Sequence, residues 1–166
     1  MLQTIRRAVI VVIGSLLLYL DSAQAGNVFT FGIQGTVVRG PACELNGNRA
    51  IDVDFGDALR TTSIDGNNYV TPVPFTLNCV GNPSSLRLQF QGSGSAFDAG
   101  VLATNVADLG VKLLKPDNSA LNLGDWFNFS YSATPPAIKA VPVKRAGAIL
   151  PGGAFSSTAT LLVEIL

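Results

Sequence analysis

Residues Asn27–Val38 read NVFTFGIQGTVV. Phe29, Phe31, Ile33, Gly35 and Val37 occupy alternate positions, with Val28, Thr30, Gly32, Gln34, Thr36 and Val38 between them. An extended strand turns alternate residues to opposite faces. One face of this stretch is therefore a row of large apolar groups broken by a single glycine, and the other is mostly small or polar. Such a strand must bury one side, either in its own chain or in another copy.

The residues before it have another purpose. Arg6 and Arg7 form a positive start, Ala8–Leu20 is an apolar run too short to span a membrane, and Ala23-Gln24-Ala25 is a small-x-small cleavage site. These features predict a secretory signal peptide over residues 1–25. An uncleaved anchor helix is the alternative. The remaining Gly26–Leu166 has the size of one domain and stays close to neutral charge. No basic patch invites nucleic acid, and few charges oppose self-association.

Two cysteines remain, Cys43 and Cys79, and the chain has no histidine. Export places the pair in an oxidising compartment, so a single disulfide is expected. A metal site is a poor alternative, because two thiols without histidine make a thin ligand set.

Short alternating runs separated by turn residues fill the rest of the chain, the pattern of an all-β sandwich. Ile51, Val53 and Phe55 alternate with Asp52 and Asp54. Val73, Phe75, Leu77 and Cys79 alternate with Pro74, Thr76 and Asn78. Leu86, Leu88 and Phe90, then Val111 and Leu113, then Ile138–Val143 continue the series. Pro142 marks the last of these as an edge or bulged strand. At the end, Ala159, Leu161, Val163 and Ile165 share one face of a long apolar strand, expected inside a sheet with partners on both sides. About six strands follow Cys43, where an immunoglobulin-like sandwich needs about seven. The leading segment is then a strand without an assigned place. Burial of Phe29, Phe31, Ile33 and Val37 would contribute roughly 6–12 kcal/mol gross, an upper bound.

In this order and spacing, the chain resembles a pilin subunit of the bacterial chaperone–usher pathway. The resemblance is carried by the F-x-x-x-G-x-V-V pattern around Gly35, Pro41-Ala42-Cys43, Ile51–Gly56, Phe75–Cys79, Leu86–Gly92, Leu109–Leu114, and Gly153 with Phe155 and Ala159-Thr160-Leu161. Val101–Asn105 and the Gly-Gly-x-Phe near the end look most like minor tip or adaptor subunits of P-type pili. Ile165 stands where the family usually has tyrosine.

The resemblance implies an incomplete immunoglobulin-like β-sandwich lacking its last strand. It implies a donor-strand extension over 26–38 and a pilin domain over 39–166. Phe29, Phe31, Ile33, Gly35 and Val37 would insert into a neighbouring pilin subunit, with Gly35 where the neighbour's groove admits no side chain. Gly153, Phe155, Ala159, Leu161, Val163, Ile165 and Leu166 would form the subunit's own groove and chaperone-binding wall, with the carboxylate of Leu166 gripped by the chaperone. The implied partners are a periplasmic pilus chaperone, an outer-membrane usher and neighbouring subunits. The implied destination is a fimbrium on the cell surface, reached through the periplasm.

Two other functions compete. An enzyme would have to work without histidine and with its cysteines bonded, so no catalytic residue is assigned. Asp52 and Asp54 share the face opposite Ile51 and Val53, which is a solvated face first. Gly92-Ser93-Gly94-Ser95 lacks a phosphate-binding lysine. A sugar-binding adhesin would use Trp126, Phe127, Phe129 and Tyr131, residues that otherwise fill the core or cover a loop. A major shaft pilin remains the alternative within the family. No cofactor and no metal are expected.

Overall fold

The computed structural model describes residues 32–37 and 40–166. The expected signal peptide and the donor-row residues Phe29 and Phe31 lie outside them. Residues 32–37 belong to a leading unit and carry no regular secondary structure, while residues from 40 onward belong to one compact unit.

That unit is all β apart from two single 3-10 turns. Its strands are β1 (Ala42–Leu45), β2 (Thr71–Pro72), β3 (Leu77–Val80), β4 (Ser85–Gly92), β5 (Gly94–Ser95) and β6 (Asp98–Ala103). Then come β7 (Leu109–Leu114), β8 (Ala120–Leu121), β9 (Phe127–Ser130), β10 (Lys139–Lys144) and β11 (Ala159–Ile165). One sheet runs β2-β10-β7-β6-β5, with β8 added to β7; a second runs β11-β4-β9; β1 and β3 form a ribbon.

Alternation explains the layers. Val73, Phe75, Leu77 and Cys79 are buried while Pro74, Thr76 and Asn78 are exposed, as a period of two requires. On β4, Leu88 and Phe90 turn inward and meet Leu102, Val111, Leu113 and Ala140 of the other sheet. The core thus lies between two facing sheets. The outward Arg87 donates to Glu164 on β11 at 2.6 Å and lies 4.2 Å over the Trp126 ring. Gly110 on β7 allows close approach: a Cβ there would fall 2.5 Å from Val101 Cγ1.

Three expectations need correction. The terminal strand β11 pairs with β4 alone and forms a sheet edge among the described residues. Ile51–Phe55 keeps its alternating burial but joins no ladder. Pro142 lies in a strand flanked on both sides, yet β2 reaches only Lys139 and Ala140, so Pro142 has β7 as its single neighbour. Proline is tolerated there for the same reason as at an edge.

Cys43 and Cys79 face each other in the β1–β3 ladder with Cα atoms 4.0 Å apart and are joined by a disulfide. That short spacing marks a non-hydrogen-bonded pair. The Cys79 N–H therefore turns away from β1, and it donates to Tyr131 Oη at 3.0 Å. Tyr131→Phe should strand this half-buried donor and cost about 1–2 kcal/mol in urea unfolding. An unchanged unfolding midpoint would show that water replaces the hydroxyl without loss.

Candidate functional site

An apolar groove with a cavity volume of about 1000 Å³ opens between two walls. One wall is the extended segment 49–57, in which Ile51, Val53 and Phe55 pack against the core while Asp52 and Asp54 face outward. The other is the stretch from Pro151 to Leu161, ending in the first residues of β11. The floor is the sandwich core itself, including Val73, Phe90, Val111 and Ala140.

Backbone pairing matters as much as side chains here. Among the described residues, the edge of β11 away from β4 has no strand partner, and segment 49–57 has none either. Unpaired strand edges offer N–H and C=O groups to any extended chain that reaches them. A groove with an apolar floor between two such edges suits an extended peptide with large side chains on one face.

The groove's ends differ. At the start of β11, Phe155 packs with Ile64, Leu109 and Leu150. The Phe155 ring also meets Phe55 across the groove, with centroids 5.8 Å apart. The backbone before β11 is pinned to the β6–β7 loop: Asn105 N–H donates to Ser156 O at 3.1 Å, and Ser156 N–H donates to Asn105 Oδ1 at 2.7 Å. Toward the other end, Val163 and Ile165 pack with Leu77, Cys79 and Leu86.

Electrostatics at the groove are mild. Asp54 Oδ1 accepts from Gly56 N–H at 2.8 Å, which shapes a turn in the wall. Nearer the Leu150 end, the hydrogen-bonded guanidinium of Arg145, with its charge, holds the exposed Asp108 carboxyl below its ordinary range. Among the described residues, no three His, Cys, Asp or Glu side chains gather as a metal site would require.

Of the residues singled out from the sequence, Gly153, Phe155, Ala159 and Leu161 lie along the groove. Gly153 has φ +133°, a conformation that favours glycine. Val163 and Ile165 lie beyond the lining, in the cluster around the disulfide. Leu166 is 59% exposed, and its N–H donates to Ser85 O at 3.0 Å. In the leading unit, Ile33 and Val37 are 86% and 98% exposed, and a Cβ built on Gly35 has no neighbour within 4 Å. The opposite wall, 49–57, was not singled out as a site. Its alternation resembles that of any paired strand, and only its lack of a strand partner among the described residues sets it apart.

The aromatic cluster divides. Phe127 and Phe129 stack at 6.2 Å and pack against the core. One face of the half-buried Trp126 ring is taken by Arg87.

Known proteins are similar to this chain in sequence and in fold. The family described as "Fimbrial protein" matches residues 31–165. The chain is 35% identical over 129 residues to the uncharacterized fimbrial-like protein YfcR of Escherichia coli K12, covering 75% of this chain and 73% of YfcR. It is 26% identical over 132 residues to the fimbrial adapter PapF of Escherichia coli, covering 73% of this chain and 78% of PapF. The crystal structure of the P pilus rod subunit PapA is similar with a TM-score of 0.58 and 19% identity, over 82% of this chain and 99% of PapA.

Proposed function

Because the chain belongs to the fimbrial protein family, we propose that it is completed by a strand from a neighbouring subunit and that its own leading segment completes the next. It is a structural subunit of a chaperone–usher pilus. One observation carries the proposal: an apolar groove of about 1000 Å³ flanked by the open edge of β11 and the unpaired segment 49–57. In this scheme Phe29, Phe31, Ile33, Gly35 and Val37 form the inserted row. Gly153, Phe155, Ala159 and Leu161 receive the neighbour's row, while Val163, Ile165 and Leu166 form the end that a periplasmic chaperone holds before an outer-membrane usher exchanges strands. The fibre stands on the cell surface and serves adhesion. A minor, adaptor-like place near the tip is supported by the likeness to the fimbrial adapter PapF. Against an enzyme stand the missing histidine and the bonded cysteines. Against sugar stacking on Trp126 stands the guanidinium already over its ring.

The test adds a peptide of residues 27–38 to the chain lacking residues 1–25. A peptide that fills the groove should raise the unfolding free energy by roughly 3 kcal/mol at a hundredfold excess over Kd. A midpoint that is high alone and indifferent to the peptide would reject strand completion.

A further inference from the structure

Next to the groove, the chain runs Ala146–Phe155, AGAILPGGAF, ten residues without one polar side chain. Leu150 in this stretch is buried with Ile64 and Leu109, and Leu150 and Pro151 line the groove's end. Ile149 beside them is 97% exposed. Folding of this unit gives that isoleucine nothing to pack against. The adjoining Arg145–Asp108 pair, 2.7 Å apart, neutralises itself, so the patch presents no net charge.

A second apolar patch lies where the leading segment joins the domain. Pro41 and Ala42 are exposed there, Ala42 pairs with Val80, and Val80 is 56% exposed. This patch belongs to the disulfide end, the end at which Ile165 packs. The Ile149 patch belongs to the opposite end of β11, where Phe155 packs against Leu150.

Strand direction connects the two patches. Every strand pairing among the described residues is antiparallel, and antiparallel pairs are slightly more stable per residue. A strand added to the open edge of β11 in that sense runs from the Ile165 end toward the Ala159 end. Its C-terminal end leaves beside Ile149. In this chain only Val38, Arg39 and Gly40 separate the last residue of the apolar row, Val37, from Pro41. Four residue steps reach at most about 14 Å. The body that donates the strand is therefore held against the Ile149 mouth.

We propose that the Ile149 patch of an accepting subunit docks onto the Pro41–Val80 patch of the subunit donating the strand, the partner being a second copy of this chain. The contact rests on the strand-insertion reading above. It joins two different surfaces of the same molecule, so it repeats head to tail, as a filament requires, rather than closing an isologous pair. It also gives subunit pairing a component that a bare strand lacks.

The test uses the chain lacking residues 1–25 and compares release of two bound partners, the 27–38 peptide and a labelled second copy. Ile149→Asp and Val80→Lys change exposed side chains, so both variants should keep the parent unfolding midpoint. Ile149→Asp should leave peptide release unchanged and speed release of the whole copy about tenfold, the scale of one buried aliphatic side chain. Val80→Lys in the donating copy should restore slow release from the Ile149→Asp acceptor. Equal release of the whole copy from parent and Ile149→Asp would overturn the docking. So would a second copy that binds no longer than the peptide, or one that fails to bind where the peptide succeeds. Failure of the peptide itself to bind would instead strike the strand-completion reading, and the docking with it.

Discussion

Replacing Gly35 by leucine should leave a folded subunit that builds no fibre. A Cβ built on Gly35 meets no atom within 4 Å, so the larger side chain has room in the free subunit. The obstacle arises in the neighbour. An inserted strand points every second residue at a close-packed floor, here built from groups such as Phe90, Val111 and Ala140. In the proposed insertion, the one glycine in the row would fall where that floor rises nearest the backbone. Forcing four carbons into a packed interior costs typically about 1–3 kcal/mol, and more where backbone must move. Displacement of the strand from the whole groove relieves the clash, so assembly fails rather than weakens. Electron microscopy of cells expressing Gly35→Leu should show no fibres from this subunit, while the purified protein keeps its disulfide and its unfolding midpoint. Gly35→Ala should fall between. Normal fibres from Gly35→Leu would remove the donor role from this segment.

The largest stability loss should follow removal of the disulfide. Cys43 and Cys79 are 36 residues apart, and closing a loop of that size contributes roughly 3–4 kcal/mol in the chain-entropy treatment. Against a total of about 5–15 kcal/mol for a typical domain, that is a large share. The location magnifies it. Among the described residues the β1–β3 ribbon pairs with neither sheet, and two strands alone are marginal in water. The bridge therefore anchors β1, and β1 leads directly into wall 49–57 of the groove. A Cys43→Ala/Cys79→Ala double variant should lose about 3 kcal/mol in denaturant unfolding and bind the 27–38 peptide more weakly. Retained stability would show that Leu45 and its core contacts hold the ribbon unaided.

Much of this architecture was legible because faces leave a mark on sequence. The buried and exposed residues of 73–79 follow the period of two without exception. The cysteine pairing also followed from the chain alone. Partners leave a weaker mark than faces. Segment 51–55 alternates like a paired strand, yet its alternation records only which side meets the core. β11 is apolar enough for the middle of a sheet, yet among the described residues it stands at an edge. Both misreadings have one cause, since a side chain suited to burial does not say which molecule will bury it. Strands β6 and β9 escaped notice for a different reason. Gly100 interrupts the former, and the aromatic residues of the latter read as core or loop cover rather than as a strand.

The contact between Phe55 and Phe155 bears on how a strand would enter the groove under the proposed function. Rings at that separation contribute about 0.5–1.5 kcal/mol beyond the area they cover. One large aliphatic or aromatic group entering a dry interior contributes about 1.5–3 kcal/mol. Under the proposed insertion, a strand that brings several such groups would outweigh the contact between the two phenylalanines.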